Sequence, residues 1–387
     1  DVLRGLGYEV FLDQYVLKAG DALINTLEDA LQSSQNGVLL YSRDTADSEW
    51  VRREYQALER LATRKDGFQF VPVQLDDFEP PLFAANRVYL SFADYPDGPN
   101  GGELLRLLYA LAGHPLTPDA ASFATEQDEE ARSAAASIET AIDLGHPAKL
   151  VELFERSGPA WESSAVLGSK AAEGLIKLGE NDTAIALLDG LGERFPRAIR
   201  PKQMRALALA RRGREGDLLN AQMILGELYR RRERDPETVG ILARTWMDRY
   251  KASGEAADLR KSRDLYAEAF AAAQDDYYTG INAAAKSVFL DDLEAAKTYA
   301  EQVEAIVGTE PKAGDYWFTA TVGEVALIQG KYDDAARLYR AAVDMAHTQV
   351  ASHRSTWGQA ERLLQHLGAS DDERAKVAAA FAHLDDG

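Results

Sequence analysis

The 387-residue chain contains no cysteine and only six histidines and four methionines. Without cysteine there is neither a disulfide framework nor a thiolate zinc site. The histidines are scattered and never fall at the His-x-x-x-His spacing of a helical metal site, so they are expected mostly at the surface, with no metal. Long apolar runs are also lacking: none approaches the roughly 18 residues that a membrane-spanning helix needs. No Walker- or Rossmann-type glycine pattern precedes a helix, and "DGPNGG" at 97–102 reads as a loop. Positive charge is scarce, with 43 Lys and Arg against 63 Asp and Glu and a formal net charge of −20. Nucleic acid and anionic membranes would repel such a surface, so neither is an expected partner. No signal-peptide pattern opens the chain, which fits cytoplasmic residence.

What is present is ordinary globular material, 46% hydrophobic and 27% charged, enough for two or three domains. The first hundred residues alternate short apolar runs with amphipathic stretches. Strands are expected at Glu9–Leu12, Val38–Ser42, Phe68–Leu75 and Arg87–Phe92. Helices are expected at Asp21–Ser34, at Ser48–Arg64 with Val51, Tyr55, Leu58 and Leu61 inward, and at Glu103–Ala112. Strands alternating with helices imply a parallel, doubly wound sheet. The stretch "AGHPLTPDAASFATEQDEE" has the composition of a linker.

From about Ala131 the texture becomes Ala-, Leu-, Arg- and Glu-rich, with no convincing strand. Similar units turn at Gly179, Gly254, Asp291 and Gly330, the last three spaced by 37 and 39 residues. The 75-residue gap between Gly179 and Gly254 has room for one more unit near Gly213. Paired helices of tetratricopeptide type fit this period and stack into a curved solenoid.

One short segment carries the chemistry. Residues 48–54 read Ser-Glu-Trp-Val-Arg-Arg-Glu after the expected strand Val38–Ser42. On a helix Trp50 and Glu54 share a face, and ligands of open α/β sheets bind beyond the carboxyl ends of the strands. Trp-x-x-x-Glu alone is common on amphipathic helices, where the acid is merely solvated or packs beside the ring. Its surroundings, "GYEVFLDQYVLKAGDALINTLEDALQSSQNGVLLYSRDTADSEWVRREYQAL" with the later "FQFVPVQLDD" and "RVYLSF", resemble a TIR (Toll/interleukin-1 receptor) domain of the bacterial and plant type over about residues 5–94. The resemblance implies a flavodoxin-like parallel sheet. It also implies an earlier central strand, so residues upstream of Asp1 are expected.

TIR domains of this type are similar to enzymes that cleave NAD at the nicotinamide–ribose bond, with a glutamate at the position of Glu54. The resemblance makes Glu54 the catalytic candidate and Asp13, Tyr15, Leu17, Ser48 and Trp50 substrate-binding candidates, with NAD as substrate and no cofactor. For Ser48 the commoner role is to cap the helix, and for Trp50 to pack into core. The loop that usually ends Pro-Gly-Asp here reads Ala19-Gly20-Asp21, which removes a fixed φ. Acid pairs Asp76-Asp77 and Asp275-Asp276 are expected to be solvated rather than to hold a cation. The basic runs "RRGR" at 211–214 and "YRRRER" at 229–234 are expected to pair internally with helix acids.

In the helical half, Tyr277, Tyr278, Gly280, Ile281, Asn282, Ala283, Tyr316, Trp317 and Gly330 carry a second resemblance over roughly residues 131–365. It is to the TRAFs-binding, tetratricopeptide-like region found in apoptosis-signalling MAP kinase kinase kinases and bacterial proteins. No kinase signature accompanies it. The expected layout is a TIR domain at 1–115, a linker at 116–130 and a helical domain at 131–387. The expected function is an NAD-cleaving effector of bacterial immune or stress signalling. Self-assembly into a homo-oligomer would activate it, and an unidentified protein or small molecule at the helical domain would trigger it. The alternative is a non-enzymatic scaffold that binds other proteins; a third possibility is that the repeats bind a small nucleotide.

Overall fold

The computed structural model describes residues 1–11, 31–45, 48–78, 89–94, 98–346 and 350–384, without the side chains of Asp44, Trp50 and Ala351. The chain divides into two compact units, Asp1–Asp217 and Leu218–Gly387.

The first unit opens with a single helical turn, α1 (Val2–Gly5). A parallel sheet follows, in which β1 (Asn36–Tyr41), β2 (Gln69–Gln74) and β3 (Leu90–Ser91) lie in that order. Val38 pairs with Val71, Tyr41 with Gln74 and Gln74 with Ser91. Phe70, Val71 and Val73 make β2 a buried apolar run, as the centre of a parallel sheet requires. Helix α2 (Glu49–Arg64) covers one face. Its Tyr55 and Leu58, flanked by Val51 and Leu61, join Leu39, Tyr41, Phe68 and Phe70 in one cluster, so the four expected inward residues point inward. The approach is close: a Cβ on Gly37 of β1 would overlap the Leu58 side chain. Helix α3 (Gly101–Leu111) covers the other face, packing Leu107 and Leu111 on Val71, Val73 and Phe92.

Two expectations fail. Glu9–Phe11 is irregular and exposed, not a strand, and Leu12 lies outside the described residues. An apolar alternation becomes a strand only where a neighbouring backbone accepts its ladder, and none of the described strands pairs with these residues. The stretch 116–130 is not a linker either: helix α4 runs unbroken from Pro118 to Asp143. Thr117 caps it by accepting from Ala120 N, Pro118 occupies the first turn, and Ala124, Asp128, Ala131 and Ala134 are buried along it. The small and acidic residues that suggest a solvated tether instead let another helix approach. Of the helix expected at Asp21–Ser34, residues 31–34 are described; 31–33 are helical and Ser34 already lies beyond the helix.

The unit continues with α5 (Pro147–Glu155), α6 (Pro159–Ser163), α7 (Val166–Lys177), α8 (Asn181–Arg194) and α9 (Arg200–Arg212). Among the described residues of the second unit, every regular element is a helix. It holds most of α10 (Asp217–Arg230), then α11 (Pro236–Ser253), α12 (Ala256–Ala272), α13 (Tyr277–Phe289), α14 (Leu293–Val307), α15 (Tyr316–Ile328), α16 (Tyr332–Met345), α17 (Val350–His366) and α18 (Asp371–Ala378).

The turns expected at Gly179, Gly213, Gly254, Asp291 and Gly330 all fall between helices and all have positive φ. Gly368, 38 residues after Gly330, adds one more turn of the same kind, between α17 and α18. A helix pair every 37 to 39 residues, from Gly254 onward, is the tetratricopeptide period. Asp292 and Asp315 start α14 and α15 by accepting from Ala295 N and Phe318 N. Acids thus recur at the repeat boundaries because they cap helices.

Candidate functional site

The carboxyl ends of β1 and β2 form a braced edge. Leu75 N donates to Tyr41 O at 2.9 Å and Phe92 N to Gln74 O at 2.7 Å, which carries the ladder past the strand ends. Beyond β1, the Arg43 amide donates to both Asp76 oxygens at 2.9 and 3.2 Å. The Arg43 guanidinium donates to Asp77 O at 2.7 Å. Asp76 therefore works as a backbone clamp between two loops, and among the described residues no group of acids and histidines could hold a metal. Thr45 accepts from Ser42 N at 3.0 Å and closes the turn that leads into α2.

Ser48 begins α2 with extended backbone angles, but its side chain makes no capping bond. That overturns the capping role. The Thr45 carbonyl accepts from Ser48 N at 3.0 Å and Ser48 O accepts from Arg52 N at 3.0 Å, so backbone groups close the helix start. Glu54 lies in the second turn of α2, half-buried and neither in open water nor sealed in the core. On the helical lattice it is three residues from Val51 and four from Leu58, so it borders the buried stripe. Trp50 is helical, and its side chain is outside the described residues, as are Asp13, Tyr15 and Leu17 altogether. The structure thus places Glu54 and Ser48 on the helix leaving the carboxyl end of β1, and leaves the remaining candidates undescribed.

Two residues at this edge escaped the sequence analysis. Tyr41 ends β1 with only 2% of its surface exposed, its ring edge-on to Phe78 at 5.7 Å. Burial, reinforced by Tyr89 and Tyr55, pushes its hydroxyl up to about 12, and that hydroxyl has no hydrogen-bond partner among the described residues. Gln74 ends β2, is buried, and donates to Phe78 O. The available signal was the break in an apolar run: a hydroxyl and an amide at matched strand ends.

The helical half contains its own polar cluster. Lys286 on α13, with 3% of its surface exposed, donates to Asn282 Oδ1 at 2.6 Å and to Gln359 Oε1 at 3.3 Å. Gln359 on α17 donates to Glu324 Oε1 on α15 at 2.6 Å. Burial lowers the Lys286 pKa and raises that of Glu324, and each charge opposes the shift of its partner. The network ties three helices of the repeat together. His353 is buried and shares a 2.9 Å hydrogen bond with His383, so not every histidine is a surface residue.

The basic runs pair internally as expected. Arg212 bonds both Asp217 oxygens, at 2.8 and 2.7 Å, and Asp182 at 2.9 Å. Glu227 takes Arg230 and Arg231, and Glu268 takes Arg234. Asp276 caps α13 through Tyr278 N at 3.1 Å. No helix among the described residues is long and apolar enough to cross a membrane.

Residues 1–107 match the TIR domain model, and residues 180–287 match the model of Tetratricopeptide Repeats-Sensor. Two curated relatives are each named probable 2′ cyclic ADP-D-ribose synthase TcpB, from Brucella abortus (strain 2308) and Brucella melitensis biotype 1. Each is 36% identical over 56 residues, 14% of this chain and 22% of the relative. The matched stretch therefore spans about a fifth of their length. Among solved structures, a thermophilic TPR protein of Thermus thermophilus aligns at 15% identity. It covers 50% of this chain and 96% of its own, with a TM-score of 0.41. The APC/C hetero-tetramer Cut9-Hcn1 aligns at 13% identity, covering 95% of this chain and 61% of its own, with a TM-score of 0.42. By its family matches, its small parallel sheet and its helix-pair period, the chain joins a TIR domain to a tetratricopeptide-repeat sensor region.

Proposed function

We propose that the TIR domain cleaves NAD at the nicotinamide–ribose bond, with Glu54 as the catalytic carboxylate. The single observation that carries this reading is the position of Glu54: half-buried, in the second turn of the helix that starts at the carboxyl edge of the sheet. The partial likeness to two TcpB proteins named as probable cyclic ADP-ribose synthases supports the same substrate.

The chemistry needs little more than such a carboxylate. Nicotinamide in NAD is cationic, and as the C1′–N bond breaks it takes both electrons and leaves neutral, without an acid to protonate it. The ribose ring becomes an oxocarbenium ion. A preoriented carboxylate beside it stabilises that charge and accepts hydrogen bonds from the ring hydroxyls. Water, or a nucleophile within ADP-ribose, then adds to C1′ and loses a proton. Ser48 and Trp50, with Asp13, Tyr15 and Leu17 of the loop that ends Ala19-Gly20-Asp21, are the proposed substrate contacts. Self-assembly of TIR domains would fix that loop and raise the competent fraction, with the helical region receiving the trigger.

The test follows nicotinamide release from NAD by the full chain, free and artificially clustered. Clustering is expected to raise release, and Glu54→Gln to lower it by at least about a hundredfold with an unchanged melting temperature. Equal turnover by the folded variant sinks the catalytic reading and leaves an interaction scaffold.

A further inference from the structure

Helices 118–212 hold the TIR sheet at two separate places, where the sequence suggests a free tether. The first place is the start of α3. A Cβ on Gly102 would overlap Ala124 O, and one on Gly101 would sit 2.5 Å from Gln127 O, so the α3 backbone lies directly against the α4 backbone. Asp128 of α4, with 7% of its surface exposed, reaches across the contact. It accepts from Glu103 N at 3.1 Å and from the Arg106 guanidinium at 2.6 Å. Just before α3, Asn100 is 2% exposed and accepts from Ser163 Oγ of α6 at 2.6 Å and Ser164 Oγ at 3.2 Å.

The second place is the start of the chain. The Asp1 carboxylate accepts from Ile199 N at 2.6 Å and Arg200 N at 2.9 Å, at the first turn of α9. Arg197 donates to Gly7 O at 3.0 Å. Between the two places, a Cβ on Gly98 would lie 3.4 Å from Val2 and 3.8 Å from Val166 of α7. The same short elements also touch the sheet: Leu3 of α1 packs on the cluster that holds Val71, Val73, Phe92, Leu107 and Leu111.

We propose that helices α4 to α9 are a rigid mount for the TIR sheet, so that sheet and mount open as one cooperative unit and a disturbance of the helices reaches the sheet through α3. At the first place the buried Asp128 carboxylate, bound to a backbone amide and a guanidinium, is expensive to part from its partners. Backbone-to-backbone packing at Gly101 and Gly102 leaves no slack for sliding. The α3 side chains that face the sheet and the glycines that face α4 belong to one eleven-residue helix, so neither face moves without the other. The mount deepens the NAD-cleaving reading by naming how the helical region acts on that domain, yet its geometry does not depend on the catalytic assignment.

Hydrogen exchange on the full-length protein separates the two. The shape-preserving variant Asp128→Asn and the variant Asn100→Ala each loosen the joint without touching the sheet core. Exchange in Gln69–Gln74 and in Val166–Lys177 is expected to rise together, by about tenfold or more, while Tyr277–Val307 stays as in the wild type. Asp1→Ala, which attacks the second place, is expected to raise the same two regions. A rise confined to the helices, with the sheet exchanging at its original rate, overturns the mount. The readout is independent of nicotinamide release, so a failure of the enzymatic reading leaves this result standing, and the reverse.

Discussion

Single side chains in this protein are decided by who surrounds them. Asp217 has little exposed surface and accepts from Nε and Nη2 of Arg212 and from the Arg214 amide. The Arg212 hydrogen bonds, outweighing burial, hold its carboxyl below the ordinary carboxylate range. In the acid window between its folded and unfolded pKa values the unfolded chain binds the extra proton, so stability rises with pH there. The contribution is present above the ordinary carboxylate range and is lost as pH falls through the lowered value. Asp217→Asn is therefore expected to lower the melting temperature at neutral pH and to flatten its decline in acid. A thermal melt series across acid pH checks this, and a variant curve parallel to the wild type contradicts it. Sequence reasoning could pair "RRGR" with nearby acids in general, but it could not choose Asp217 and Asp182, because Asp182 is distant along the chain. The same holds for Lys286 and Glu324, which look like surface charges in their helices and are buried by three-helix packing.

At the scale of elements, two glycines do different work. Gly330 lies just after α15 with φ +75, and a Cβ there meets nothing within 4 Å. Gly280 sits inside α13, where a Cβ would lie 2.7 Å from Val303 and 2.9 Å from Phe270. Gly330→Ala is expected to cost about 1 kcal/mol from backbone strain alone. Gly280→Ala is expected to cost about 1 to 3 kcal/mol from overpacking between α13 and its neighbours. Urea unfolding of the two variants checks the order, and a Gly280→Ala as mild as Gly330→Ala would show that the packed side chains yield. Both glycines stood out in the sequence, Gly330 because turns recur at a fixed period, and Gly280 beside Asn282 through a family resemblance. Elements with their own periodicity were legible in this way: α2 with its inward stripe, the buried strand β2, and the later helix pairs. The strand expected at Glu9 and the linker expected at 116–130 were not, because each depends on a partner that local composition does not name.

The molecule as a whole carries a formal charge of −20 over 387 residues. Self-repulsion of this size opposes the compact state and is screened by salt. Its melting temperature is expected to rise as sodium chloride is added, against the weakening of its surface ion pairs. A series of melts at constant pH tests this, and a fall on adding salt would mean that paired charges outweigh the net excess. The charge also bears on the proposed substrate, since NAD is itself anionic and approaches a like-charged surface.

The sequence by itself determined the parallel sheet, the repeat period and the short segment that places a carboxylate after β1. Hydrophobic spacing, capping residues and turn glycines are local, and they act within a few residues of one another. Only the tertiary structure decided that Asp128 reaches Glu103, that Asp1 caps a helix near residue 200, and that no tether separates the sheet from the helices. Those facts depend on backbones meeting across long sequence separations, where burial and desolvation, not local pattern, select the partner.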